Sequence, residues 1–455
     1  MRVFNRHVSM RGLTVFGFET VIISGSILFA AQMHGSLTAT SALWKVVLVT
    51  ALCELCFYYN DLYDLTRVHA KRELFVGVLQ GTGAAAIALA IVSVLVPSLL
   101  IGTGTFTTVV VLLLVVVPVW RLAFDGLSSD PNLEERIVIV GTGVLARIVA
   151  KQIREQHDFA YRVVGFLADT DTPADDIAVG PVLGTQGDLS RVIGARRINR
   201  VVVGLSDRRG HLPIEELLRA KLAGVRVEDA ATTYERITGK ILVDDLKPSW
   251  LIFSDGFHAS RVTRILKRTF DLALAIVGFV PAAPLMLLTA LAVKLDSRGP
   301  ALYCQERVGE NGRVFTLCKF RSMRIDAEQG TPIWAKDKDD RVTRVGRFIR
   351  LTRLDELPQL WNVLRGDMSF VGPRPERPFF VEQLAAVIPF YLARHAVKPG
   401  VTGWAQVKYR YGSSIEDALE KLRYDLYYIK HLSLVFDFTI LVDTVKVIVS
   451  GKGAK

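Results

Sequence analysis

The chain has 455 residues, too many for one ordinary domain, and half of them are hydrophobic, giving a mean hydropathy of +0.32. Its formal net charge of +11 suits nucleic acid, an anionic membrane surface or phosphorylated molecules as partners. No zinc knuckle, helix-turn-helix pattern or aromatic RNA-binding strand occurs, which sets nucleic acid aside, and the apolar segments favour membrane and phosphate.

Four apolar runs come first, at residues 13–33, 42–59, 74–100 and 106–120, each near the roughly 20 residues a helix needs to cross a bilayer. The first is not read as a signal peptide, because it has no small-residue cleavage site and three more runs follow it. Arg2, Arg6 and Arg11 precede the first run, Arg67, Lys71 and Arg72 lie between the second and third, and Arg121 follows the fourth. Segments 34–40 and 102–105 carry no Lys or Arg. Positive loops stay cytoplasmic, so the N-terminus and everything after residue 121 are expected in the cytoplasm. Glu54 stands inside the second run without an obvious partner; an intramembrane carboxylate is a functional candidate, and burial within the helical bundle is the plainer reading. Cys53 and Cys56 form a CxxC with no second pair and read as helix-packing residues. Cys304 and Cys318 stand isolated, and nothing points to an oxidising compartment.

Residues 136–140 read as a buried strand, followed by Gly141-Thr142-Gly143 and an apolar-periodic helix through Ile153. Further strands are expected at 163–167 and 200–204. Strands alternating with helices predict a parallel sheet. The GxGxxA turn ending at Ala146 is similar to the dinucleotide fingerprint, whose glycines let backbone approach a pyrophosphate. A nucleotide in contact with Gly141, Gly143 and Asp169 is one reading; a tight turn that simply needs glycine is the other. No YxxxK pair is present, so regulation or dimerisation suits this segment better than catalysis.

Lys267-Arg268-Thr269-Phe270-Asp271 opens another apolar run, 272–293, long enough to span a bilayer. Pro281 and Pro284 fall near its middle, where proline removes backbone hydrogen bonds and kinks a helix. Both flanks are basic, with Lys267 and Arg268 before and Lys294, Arg298 and Arg307 after, so both ends belong on one side of the membrane. A bent, re-entrant helix at about 270–294 satisfies both facts; a buried core helix is the alternative.

The last third is dense in groups suited to phosphate: Lys319 and Arg321, then Asp339, Asp340, Arg341, Arg344, Arg347, Arg350 and Arg353, then Asp355 and Glu356, then Arg374 between two prolines. Pro358 and the apolar-periodic stretch after it place Asp355 and Glu356 in the first turn of a helix. Free N–H groups and the dipole there, with Arg350 and Arg353, would keep a carboxylate ionised and a phosphate close. An ionised Asp can attack phosphorus, and a neighbouring carboxylate can hold Mg²⁺. Alone, the pair would read as helix-start carboxylates beside surface arginines.

The ordered motifs decide between these readings. KRTFD at 267–271, QERVG at 305–309, KFRSM at 319–323, LDELPQLWNVLRGDMSFVGPRP at 354–375 and KPGVTGWAQV at 398–407 resemble the monotopic phosphoglycosyl transferases, the bacterial polyprenyl-phosphate hexose-1-phosphate transferases that start exopolysaccharide and O-antigen synthesis. The resemblance covers residue 267 to the C-terminus, and the four spans with a Rossmann-like domain look like the large form of that family. It implies a UDP-sugar donor, undecaprenyl phosphate as acceptor, UMP release, and Mg²⁺. It also implies Asp355 as nucleophile, Glu356 and Asp355 at the metal, and Arg374 on phosphate. Lys319, Arg321, Arg350 and Arg353 are the further phosphate candidates. Lys267, Arg268, Asp271 and Pro284 would form the membrane anchor, with Ala283 where the family usually has Ser. The location implied is the bacterial inner membrane, and the large members suggest a homodimer.

The expected architecture is a four-helix membrane bundle (1–125), an α/β Rossmann-like domain (132–256) and a mixed, mainly α catalytic domain with a re-entrant helix (262–455). A membrane-bound nucleotide-sugar dehydratase or epimerase would need a full glycine fingerprint and YxxxK, and neither is present. A non-catalytic nucleotide-binding regulator leaves the arginine–carboxylate constellation unexplained. No residue can be assigned to reading glucose against galactose, and glucose is preferred on family frequency alone.

Overall fold

The computed structural model describes residues 2–3, 6–7, 10–35, 39–60, 62–63, 71–95, 102–128, 134–155, 161–168, 180–205, 212–243, 254, 256–327, 340–409, 412 and 414–449. Arg67, Asp169 and Asp339 lie outside these. The chain forms two compact units, divided between Thr233 and Tyr234.

The first unit opens with helices α1 (Met10–His34), α2 (Ala39–Tyr59), α3 (Lys71–Leu95) and α4 (Thr103–Ser128). Ile23, Val49, Phe57, Val78 and Leu113 pack in a common core. The opposite faces are also apolar and bare, with Val21, Phe29, Val47, Leu79, Ile87, Val111 and Val115 exposed. Helices apolar all round belong in lipid. Thr14–His34, Leu74–Val92 and Thr103–Phe124 are each long and apolar enough to cross a membrane.

Two polar positions here differ from expectation. Glu54 has a partner, because the Thr20 hydroxyl donates to it across α1 and α2. Arg121 is not a loop residue: α4 continues past it, and its guanidinium is buried against Glu19, with Nε to Oε1 at 2.5 Å and Nη2 to Oε2 at 3.2 Å. Cys53 and Cys56 are free and buried.

Next come β1 (Glu135–Val140), α5 (Val144–Glu155), β2 (Tyr161–Ala168), β3 (Val182–Thr185), α6 (Leu189–Arg196), β4 (Arg200–Val203), α7 (Ile214–Leu222), β5 (Arg226–Asp229) and α8 (Ala230–Thr238). The five strands pair in parallel in the order β3-β2-β1-β4-β5, with the first strand central, which is the doubly wound order. Gly141 follows β1 at φ +105, and a Cβ there would stand 2.8 Å from the Gly204 carbonyl oxygen. A Cβ on Gly204 would stand 2.9 Å from that of Ala146, so the small residues of the GxGxxA turn are explained by close strand–helix packing.

The division into units falls inside α8, whereas the expected domain limit stood at 256. The segment after Thr233 is tied to the second unit by buried polar contacts. Lys430 and His431 meet Glu235 at 2.7 and 2.6 Å, Trp404 donates to the Gly239 carbonyl at 2.9 Å, and Ile241 N donates to Arg423 O at 3.0 Å.

The second unit contains α9 (Arg261–Asp296), hairpin β6 (Leu302–Val308) and β7 (Val314–Phe320), α10 (Arg344–Leu351), α11 (Gln359–Arg365), β8 (Ser369–Val371), α12 (Pro378–Val387), β9 (Gly400–Thr402), α13 (Trp404–Lys408), α14 (Ile415–Lys430) and α15 (Leu434–Val449). Its main core gathers Trp404, Leu422, Leu426, Tyr427, Tyr428 and Phe436. Helix α9 runs unbroken over 36 residues, with Pro281 and Pro284 inside it, so the expected break at Pro284 is not a gap in the helix. Lys267, Asp271, Ala275, Ala282, Thr289 and Val293 are its buried side, while Val277, Val280, Leu287, Leu288 and Leu291 are bare. That much exposed apolar surface does not belong to a core helix of a soluble domain. Cys304 and Cys318 are not isolated: the β6–β7 register sets them directly opposite, Cα to Cα 4.3 Å, joined as a disulfide.

Replacing Glu19 by Leu leaves the Arg121 guanidinium buried without its carboxylate and should cost about 3–5 kcal/mol, most of it recovered in Glu19→Leu/Arg121→Met. Thermal unfolding in detergent reads both, and a Glu19→Leu variant as stable as its parent would refute the pair's role.

Candidate active site

The site is built on three short elements. Period-2 alternation puts Tyr303, Gln305 and Arg307 of β6 on one face of the hairpin, with Lys319 of β7 directly opposite Tyr303. The Lys319 ammonium lies 5.5 Å from the Tyr303 ring centre. Helix α10 is capped by the Thr343 hydroxyl, which accepts from Gly346 N at 2.9 Å. A Cβ on Gly346 would stand 2.0 Å from Ser322 O, so glycine lets α10 lie against the chain after β7. Arg350 Nε then donates to the Ser322 hydroxyl at 2.9 Å.

Arg353, in the left-handed conformation at φ +59, ends α10 and begins a 3₁₀ turn, Leu354–Glu356. Asp355 and Glu356 therefore sit on their own turn, ahead of α11 and its Pro358 cap. This corrects the expected first-turn placement. A dipole acts within the first turn of its helix, so the charge around the pair comes chiefly from side chains.

Asp355 is buried, and its Oδ1 has no hydrogen-bond partner among the described residues. Glu356 Oε1 accepts from Arg374 at 3.1 Å and from Arg353 at 3.3 Å. Burial and the adjacent Glu356 push the Asp355 carboxyl up to about 6, against the pull of Lys319, Arg350 and Arg353. The expectation that its surroundings simply favour ionisation is thus corrected: burial works against the charge. Burial also opposes charge on Glu356, but Arg374 and Arg353 outweigh it and hold that carboxyl below its usual range. Burial, with Arg307, Arg350 and Arg374 nearby, lowers Lys319 to about 8. The arrangement is one poised carboxylate, one firmly ionised carboxylate and a surrounding arc of cations.

No group of three His, Cys, Asp or Glu that could hold a metal occurs among the described residues. The residues still fit Mg²⁺, which binds through one or two carboxylates plus substrate phosphates. Asp355 offers a buried, unpartnered oxygen, and Glu356 is adjacent.

Arg374 lies in the segment after β8, and several carbonyls from Val371 onward are held by donors. Lys267 donates to Val371 O at 3.1 Å, Gly400 N to Pro373 O at 2.9 Å, Arg394 to Arg374 O at 3.0 Å and Arg307 to Pro375 O at 2.6 Å.

The sequence candidates divide. Lys319, Arg350, Arg353, Asp355, Glu356 and Arg374 come together. Arg321 does not join them: it is buried at the end of α9, donating to Ser297 O, Ser297 Oγ and Arg298 O. Lys267, Arg268 and Asp271 turn inward rather than toward an apolar surface. Lys267 also meets Asp437 at 2.6 Å, Arg268 donates to Val363 O and Leu364 O at 2.6 and 2.8 Å, and Asp271 accepts from Phe370 N at 3.1 Å. Pro284 is exposed on α9. Gly141 and Gly143 are in the sheet domain, at the β1–α5 turn. The Gly141 amide is already committed to Leu167 O at 2.8 Å, and Arg147 Nε folds onto Thr142 O at 2.9 Å. Arg307, which the sequence reading placed in the QERVG motif that opens the phosphate-rich third, joins the first group: strand alternation with Tyr303 puts it on the Lys319 face. Asp437 and Arg394 were missed, and no local pattern signals their partners.

The family model for bacterial sugar transferases matches residues 262–451, and a CoA-binding domain model matches 59–216. The chain is 42% identical to the UDP-N-acetylgalactosamine-undecaprenyl-phosphate N-acetylgalactosaminephosphotransferase of Aeromonas hydrophila, over 58% of this chain and 62% of that protein. It is 36% identical to the undecaprenyl-phosphate glucose phosphotransferase of Komagataeibacter xylinus, over 69% and 59%. It is 31% identical to the undecaprenyl-phosphate galactose phosphotransferase of Salmonella typhimurium, over 75% and 74%. The chain thus spans about three fifths of the length of the first two relatives.

Asn362 joins α11 to β7, donating to Thr316 O at 2.7 Å and accepting from Cys318 N at 3.4 Å. Asn362→Ala strands both backbone groups and should cost about 1–3 kcal/mol, read as a lowered Tm; an unchanged Tm would show the bridge to be idle.

Proposed function

Because this chain belongs to the bacterial sugar transferase family, we propose that it moves a hexose-1-phosphate from a UDP-sugar to undecaprenyl phosphate, releasing UMP. The observation that carries this reading is the buried Asp355 carboxylate, with a free oxygen, among Lys319, Arg350, Arg353 and Arg374. In the first step Asp355 attacks the phosphorus that bears the sugar, and the bond from that phosphorus to the UMP oxygen breaks. The product is an acyl phosphate on Asp355. In the second step a phosphate oxygen of undecaprenyl phosphate attacks the same phosphorus, and the bond to Asp355 breaks. Lys319 and Arg374 neutralise the diphosphate as charge shifts to the leaving UMP. Glu356, with Asp355, would hold Mg²⁺, which would supply positive charge against that of the diphosphate.

The bare apolar side of α9 supports a catalytic unit seated at a membrane. The charge asymmetry of the N-terminal loops supports the cytoplasmic face of a bacterial inner membrane, and the reaction would be the first membrane step of exopolysaccharide synthesis. In the sheet domain, the match to a CoA-binding model supports an accessory nucleotide-type ligand. No step of the transfer passes through it.

The test is UMP release by the full chain in detergent with Mg²⁺, undecaprenyl phosphate and, in turn, UDP-glucose, UDP-galactose and UDP-N-acetylgalactosamine. Asp355→Asn should abolish release; full activity in that variant would remove Asp355 as nucleophile, and no release from any donor would refute the transferase reading. Lys319 must be protonated to neutralise phosphate, so kcat/KM should fall as pH rises through about 8. Lys319→Arg should move that limb to higher pH, since guanidinium stays charged. A limb unmoved by this substitution would assign it to another group.

A further inference from the structure

The nearest support of Arg374 is itself a buried ion. Arg394 lies in the 3₁₀ segment Tyr391–Ala396, entered through Phe390 in the left-handed conformation. It is 5% exposed, Asp425 of α14 is 2% exposed, and Tyr391 is 2% exposed. Its guanidinium donates to Tyr391 Oη at 2.7 Å, Asp425 Oδ2 at 2.8 Å and Arg374 O at 3.0 Å. A buried ion pair is a poor device for stability alone, because apolar side chains of similar volume commonly do as well or better. What apolar side chains could not do is hold a carbonyl in place. The carbonyl held is that of Arg374, whose own guanidinium meets Glu356 at 3.1 Å. The other end of the chain of contacts is helix α14, whose Leu422, Leu426 and Tyr428 are fully buried in the main core.

We propose that Arg394, fixed by Asp425, is a positioning residue for the transfer, acting through the Arg374 backbone to aim the Arg374 guanidinium. The proposal rests on the transferase reading above for its kinetic consequence and on geometry alone for its structural one. A displacement of about 1 Å in a group that meets the reacting phosphate can cost about 100-fold in rate. Arg394→Met, which removes all three donors, should therefore lower kcat about 10–100-fold while KM for the UDP-sugar changes less than about threefold. Arg394→Lys should recover part of the loss.

The decisive measurement is a double-mutant cycle in the full chain, with Arg374→Lys, Arg394→Met and the two combined, followed by UMP release. If Arg394 acts through Arg374, then adding Arg394→Met to Arg374→Lys should cost less than about threefold further. Losses that multiply would overturn the proposal and leave Arg394 a merely structural residue. Hydrogen exchange on the same preparations gives a readout free of catalysis. Amides of 371–377 should exchange at least about tenfold faster in Arg394→Met, with α11 unchanged, and unaltered exchange at 371–377 would overturn the proposal even if no UDP-sugar were turned over. Should Arg394→Met fail to fold, Arg394→Lys and Asp425→Asn make the same comparison. Absence of UMP from the parent protein alone would instead count against the transferase reading.

Discussion

Two buried carboxylates and several cations lie side by side, and they must not neutralise one another. Opposite charges a few ångström apart attract strongly where the dielectric is low, so unrestrained arginines would collapse onto Asp355. The structure prevents this by giving the guanidinium groups other acceptors. Arg350 is on the Ser322 hydroxyl, Arg307 on the Pro375 carbonyl, and Arg353 and Arg374 on Glu356. Glu356 thereby takes up charge that would otherwise quench its neighbour, and Asp355 keeps an oxygen free. The division of labour between adjacent carboxylates comes from who their partners are, not from their place on a helix.

Much of this was legible in the chain. The apolar runs, the parallel sheet and the glycine turn follow from periodicity, spacing and charge, while the weight given to the cluster around Asp355 came from the resemblance of the ordered motifs. What was not legible is the identity of long-range partners. Arg121 reads as the positive end of a span until Glu19 is brought beside it by the packing of α1 on α4. Arg321 reads as a phosphate ligand because it stands two residues after Lys319, yet Lys319 faces Tyr303 while Arg321 meets the carbonyls that end α9. Cys304 and Cys318 are 14 residues apart and meet only because the hairpin register opposes them. In each case residue type is right and direction is not, since direction depends on elements distant in sequence.

The basic residues that open the apolar stretch of α9 show the same point from the other side. A Lys-Arg pair before an apolar helix ordinarily marks where a chain meets lipid head groups. Here Lys267 and Arg268 spend their donors on Val371, Asp437, Val363 and Leu364, and Asp271 receives the Phe370 amide. Tyr428 closes the group by donating to Asp437 at 2.7 Å. These are strong, charge-assisted bonds shielded from water, and they lock the helix to the strand that leads into Arg374.

That lock turns α9 into a ruler. Asp271 is pinned to the strand before the Arg374 segment, and the next exposed large apolar side chain along α9, Ile276, follows five residues later, about 7.5 Å along the axis at the usual rise. A rigid helix allows no slack between those marks. The distance from this anchor to the bare stretch around Val277 and Val280 is therefore set by residue count. Lengthening this stretch by one residue would shift the bare stretch by about 1.5 Å along the axis relative to Asp271 and swing it by about 100° around that axis. The spacing between Asp271 and Ile276 thus fixes where the bare stretch lies beyond the anchor and which way it faces relative to the strand that leads into Arg374.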